Sequence, residues 1–250
     1  MKDSIIKRVV FSATTILLLF LGWIIISVIK NNDLIYPKID KIFIKLLECF
    51  RWDNFKFLLF TFSRVIISVG ISLVVSILII ILYLKFPSSY SLFSPIIRMM
   101  RTMPFICISL FIIIIFSSNL SPYIIAFLLI IPLMTEGLKD GVDRLDKNLM
   151  DDLALHEIKF IDKLRLVYLP LIMPTIILTL LQTFGLGFKV MIMGEYFAQT
   201  KNSMGLVLNI AKSNLWMDEV IAWTILIVLV VSIIEILINI FNKKRNNIIY

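Results

Sequence analysis

Charged side chains stranded in apolar sequence are the residues of this chain that could do chemistry. Arg64 interrupts an apolar segment over 57–86, while Lys189 lies within, and Glu195 just beyond, an apolar run over 167–193. With Glu235 they are the groups available to an ion, proton or solute path through a membrane. An unpaired ammonium at the bilayer centre costs on the order of 3 kcal/mol on insertion scales. Lys189 must therefore face a solvated cavity, another polar group or the outer interface. Facing a path it favours anions; snorkelling from the end of its span it does nothing to cargo, and both readings stay open. Arg64, a turn or two inside its segment, reads more readily as snorkelling than as part of a path. Glu195 follows Lys189 by six residues, about 240° around a regular helix, so the two do not pair along one face unless the Gly194 region unwinds.

A second set of titratable residues lies between 136 and 166, where acids and bases crowd an otherwise greasy chain. Paired carboxylates can serve acid–base catalysis. These have cationic, wet surroundings and no base–nucleophile arrangement beside them, which argues for a solvated docking face and against an enzyme. No GxxxxGK[ST] exists to cradle ATP phosphates, and neither Gly-x-Ser-x-Gly nor His-Glu-x-x-His occurs. His156 is the one histidine, which excludes a metal site built on histidines. Cys49 and Cys107 lie far apart with no ligand spacing, and no disulfide is expected.

These groups must be positioned by membrane elements. Apolar residues make up 60% of 250 and the mean hydropathy is +0.98, well above a soluble domain. The expectation is an all-α polytopic membrane protein, a single domain over 1–250, with about six transmembrane helices. The spans fall near 9–29, 57–86, 102–116, 121–135, 167–193 and 221–241, with a polar loop 136–166 between spans four and five. The first run is too long for a signal-peptide core and lacks a small-residue cleavage site, so it reads as an uncleaved span. Residues after Pro37 suit an amphipathic helix at the outer surface. The formal charge of +8 is read with topology and not as a nucleic-acid signal. Lys and Arg are more numerous on the side that holds both termini and the polar loop, which makes that side cytoplasmic.

Within the polar loop, Leu149, Met150, Leu153, Ala154, Ile158 and Ile161 recur at three- and four-residue steps, giving a short amphipathic helix one apolar face. Asp146 stands at its N-cap position. Leu169-Pro170 and Pro174 mark the return to apolar sequence.

This loop resembles the EAA loop of permease subunits of binding-protein-dependent ABC importers, in particular those handling sulfonates, taurine and nitrate. Aligned on Leu169-Pro170, the Glu-Ala-Ala of that family falls on Asp151-Asp152-Leu153 or on Asp152-Leu153-Ala154. Its glycine falls on Glu157, a departure, because a residue with a side chain tolerates positive φ poorly. The resemblance extends to Ser63-Arg64-Val65-Ile66, to Arg101 ahead of Met103-Pro104, to the segment from Gly185 and Gly187 to Gly194-Glu195, and to Gly205-Leu206. It implies a homodimer in a bacterial cytoplasmic membrane, two copies of an ABC ATPase beneath it and an extracytoplasmic solute-binding protein above. ATP and Mg²⁺ would bind the ATPase, leaving this chain without a cofactor. Leu149, Leu153 and Ala154 would enter a groove of the ATPase, rimmed by Asp151, Asp152, His156 and Glu157. Arg64, Gly185, Gly187, Lys189 and Glu195 would belong to the solute pathway. An ATP-independent carrier or pore remains the alternative.

Overall fold

The computed structural model describes residues 14, 18, 21–30, 32, 34–155 and 158–246, with no strand among them. The chain forms two compact units, Met1–Phe55 with Leu208–Val228, and Lys56–Val207 with Leu229–Tyr250.

In the first unit an apolar helix, α1 (Leu21–Lys30), is followed by α2 (Ile39–Cys49). The connecting loop is tied back to α1: the Trp23 indole donates to the Pro37 carbonyl at 3.3 Å and the Ser27 hydroxyl to that of Tyr36 at 2.9 Å. α2 is amphipathic, burying Ile42 and Cys49 and exposing Phe43, Ile44 and Leu47.

The second unit holds nearly all of α3 (Trp52–Lys85), then α4 (Tyr90–Thr102), α5 (Phe105–Ile115), α6 (Ser121–Asp143), α7 (Lys147–Leu155), α8 (Phe160–Lys163) and α9 (Leu169–Ala198). Two further helices, α10 (Met204–Ser213) and α11 (Met217–Asn246), are shared between the units.

Among the described residues, four helices are long and apolar enough to cross a membrane: Trp52–Lys85, Ser121–Asp143, Phe160–Ala198 and Met217–Ile234. A bent pair could make a fifth crossing. Of the expected first span, 9–29, the described part is residues 14, 18 and 21–29, the last nine of them in α1. The third span, expected over 102–116, is instead α4 and α5 meeting at 100°. Pro104 explains the corner. It has no N–H to continue α4 and it holds Met103 extended, at φ −66° and ψ 130°. α5 alone, with 11 residues, is roughly 16 Å long, about half a ~30 Å hydrocarbon core.

The fourth span does not stop at residue 135, because α6 stays helical to Asp143 and carries the first charges of the polar loop. The fifth begins earlier than expected. A wide π turn over Leu164–Tyr168 links α8 to α9 without interrupting the helical path. Pro170 and Pro174 lack N–H donors and crowd the carbonyls four residues back, and a local widening of the ladder relieves both effects.

α6 and α9 pack antiparallel along a seam of small residues. A Cβ on Gly137 would meet Thr179 Cγ2 at 2.7 Å, and one on Gly141 would meet Thr175 Cγ2 at 2.6 Å. Close backbone approach is how membrane helices gain dispersion contact where no hydrophobic force separates helix from lipid. α3 turns a face of Thr61, Ser68, Ser72 and Ser76 inward, and Ser76 bonds Thr135 of α6 at 2.9 Å.

Candidate functional site

α9 ends where Gln199 adopts the left-handed conformation, φ 50° and ψ 46°, with the Thr200 N–H returning to the Glu195 carbonyl at 3.1 Å. The chain then reverses through Asn202, at φ 52°, and Ser203 caps α10 by accepting from the Leu206 N–H at 3.0 Å. Thr200 donates to the Ser118 carbonyl at 2.6 Å, fastening this turn to the loop that precedes α6.

Glu195 sits beneath that turn with no exposed surface. Its Oε1 accepts from Arg64 at 2.7 Å, and its Oε2 from the Thr61 hydroxyl at 2.8 Å and the Gly205 N–H at 3.3 Å. Arg64 also donates to the carbonyls of Asn202, at 3.1 Å, and Lys201, at 3.0 Å. Thr61 accepts from the Met204 N–H at 3.1 Å. Position 205 requires glycine, since a Cβ there would lie 2.3 Å from the Tyr196 nitrogen. Each charge is thus both paired and hydrogen-bonded, the condition under which an ion pair tolerates burial. Physically the knot locks the α9–α10 turn onto α3.

Arg64 is therefore not a snorkelling residue. Its guanidinium turns inward, and its side chain is 13% exposed. The sequence reading missed Thr61 and the loop carbonyls. The available signal was Thr61 three residues before Arg64, which puts both on one face of α3.

The other pathway candidates separate from this cluster. Gly187 lies in the helix seam, where a Cβ would meet Ile130 Cδ1 at 2.9 Å. Gly185 is buried with no atom within 4 Å of a Cβ position. Lys189 makes neither a hydrogen bond nor an ion pair among the described residues, and lies on an exposed strip of α9 with Gln182 and Met193. At nine residues before Ala198, roughly 14 Å along the axis, it stands well inside the helix.

At the opposite end of α9 lies α7. Asp146 caps it, its carboxylate accepting from the Asn148 N–H at 2.9 Å. Near its far end the Lys163 ammonium donates to the Leu153 carbonyl, one of the last-turn carbonyls that a following glycine turn often satisfies. Asp151 is exposed and Leu153 half-buried. Leu155, Ile158 and Ile161 are exposed apolar residues, at 82%, 44% and 71%. Leu149, Asp152 and Ala154 belong to α7, but their side chains, like that of Glu235, lie outside the described residues; so do His156 and Glu157 altogether. Helix resumes at Phe160.

Among the described residues no three of His, Cys, Asp or Glu gather as a metal site. The polar contacts described above position helices.

Long apolar helices, two of them separated by a short amphipathic helix, define a polytopic membrane protein. Residues 75–247, more than half of the chain, match the family of binding-protein-dependent transport system inner membrane components, and the chain belongs to that family. It is an integral membrane permease subunit of an ABC transporter, and membership implies an ATPase and a binding protein as partners. The match spans α7, Lys189, Glu195 and Gly205 but begins after Thr61 and Arg64. No curated protein matches the chain.

Proposed function

We propose that this permease works in an importer, as a homodimer with two ATPase subunits below and a solute-binding protein above. The membrane is the bacterial cytoplasmic membrane, with both termini inside. One observation carries the reading. α7 is capped by Asp146 and held by Lys163 between two membrane-crossing segments, and leaves Leu155, Ile158 and Ile161 exposed beside it. A short amphipathic helix presented in this way suits a groove on a soluble partner. As a coupling helix of the EAA type it puts Leu149, Leu153 and Ala154 into the ATPase, with Asp151, Asp152, His156 and Glu157 around them. ATP-driven closure of the ATPases then draws the two copies of α7 together and rocks the bundles toward the outward-open state.

Lys189 and Gln182 give α9 a polar exposed strip that lipid would not favour, which supports a path along this face between two copies of the chain. A lysine there selects an anionic group, such as nitrate or the sulfonate of an alkanesulfonate or taurine.

Charge reversal at Asp152 (Asp152→Lys) combined with Leu153→Asp tests the docking. In proteoliposomes with the ATPase and binding protein, uptake should fall to background while the permease still folds and inserts. Unchanged uptake rules out α7 as the coupling element. Uptake by the wild type without ATP would instead establish a carrier or pore.

A further inference from the structure

We propose that a cavity beside the π turn binds one anionic phospholipid, its acyl chain inside and its phosphate at Arg165. The cavity, of about 270 Å³, opens between α3, α6 and the start of α9, with Ile80, Leu84, Leu138, Tyr168 and Ile172 among its walls and Arg165 at its rim. No polar atom faces its interior, so water has no partners there. An enclosed apolar cavity of ~150 Å³ takes up benzene; this one is larger and partly open, so its occupant enters from what surrounds the helices.

Its level in the bundle identifies the occupant. α3 ends at Lys85 and α6 at Asp143, and the Tyr83 hydroxyl donates to Asp143 at 2.8 Å. Tyrosines and charges at the ends of apolar helices mark the headgroup layer. A cavity opening just inside that layer meets lipid tails before any other solute. Arg165 is exposed and has no hydrogen bond or ion pair among the described residues. A cation at the mouth of an apolar cleft between membrane helices complements an anionic headgroup. It offers nothing to the apolar helix of a second copy.

The lipid would brace the wide turn that follows α7. One wall of its site is that turn, where the ladder is widened and the helix is least supported by its own bonds.

The probes are phosphatidylglycerol and phosphatidylcholine, offered to the purified transporter and read by native mass spectrometry. Wild type should retain phosphatidylglycerol in preference to phosphatidylcholine. Arg165→Gln should cut that preference about fivefold, the factor for one basic residue at an anionic surface. Ile172→Trp, which fills the cavity, should abolish retention of both. A phosphatidylglycerol with a photoreactive acyl chain should label residues 164–172. Absence of retained lipid, an unchanged preference in Arg165→Gln, or labelling confined to other segments would overturn the assignment. So would cross-linking of a second copy into the cavity. Arg165 is on the surface, so its variant decides the matter even if Ile172→Trp fails to fold.

Discussion

Glu195 is fully buried and still ion-paired, so what matters at this position is balance. Removing Arg64 leaves a carboxylate without its counter-charge where water does not reach. Breaking a buried pair from one side costs ~3–5 kcal/mol. Arg64→Met should therefore lower the thermal stability of the purified protein sharply. Arg64→Met with Glu195→Gln should recover much of the loss, because the amide oxygen can still accept from Thr61 and Gly205. A double variant as unstable as the single one would show that Arg64 acts through the loop carbonyls alone. Cys49 poses the opposite case, a group kept neutral. It is 2% exposed, and its thiol is pushed from 9.0 to about 12, by desolvation first and then by Glu219 and Glu48. The protonated thiol is favoured in the fold, so its contribution to stability is complete below pH 9.0 and is lost as pH rises through about 12. At neutral pH a membrane-permeant maleimide should modify exposed Cys107 and spare Cys49. Mass spectrometry should find one adduct on the folded protein and two after denaturation.

Among the elements, the α6–α9 pair sets the frame, since its two ends carry the Glu195 knot and α7. Gly141 and Thr175 touch so closely that a larger residue must push the helices apart. Gly141→Val should cost ~1–3 kcal/mol through overpacking, while Gly141→Ala should cost less; melting of both variants in detergent checks the order. Wild-type stability in Gly141→Val would mean that the seam is slack. Sequence made this pair partly legible. Small residues in a span announce a close helix contact, but nothing local says which partner they face. Asp146 was readable as a cap because capping is a short-range matter of one side chain and the next turn. The corner at Met103-Pro104 was not anticipated: a proline between apolar runs is equally compatible with the start of a span, and only tertiary packing decides the angle. Lys163 was missed for a similar reason, since its partner carbonyl lies ten residues back in another helix.

For the whole molecule, composition and hydrophobic run lengths announced a helical membrane protein, and the order of motifs announced the family. Partnerships across the bundle were beyond that reach. Arg64 could be judged by its own neighbours alone, and these pointed to snorkelling; its partner Glu195 lies in a distant span. For Lys189 the sequence left a solvated path and the outer interface open, and water reaches its ammonium in either place. If that water is a path between two copies, Lys189→Met should reduce anion uptake about tenfold, the factor that one lost contact of ~1.4 kcal/mol carries. Lys189→Arg should retain most uptake, and the ATPase rate should follow the same order. Transport untouched by Lys189→Met would remove this residue from the path and the anionic cargo with it.

The pairing of Arg64 with Glu195 also has a history in time. The two are separated by 131 positions, and a ribosome adds roughly 5–20 residues per second. Arg64 therefore enters the membrane on the order of ten seconds before its carboxylate exists. During that interval the nascent chain carries a guanidinium without its native partner, Glu195. A chain stalled before α9 would keep that charge without its native partner, which makes the unfinished permease chemically distinct from the finished one.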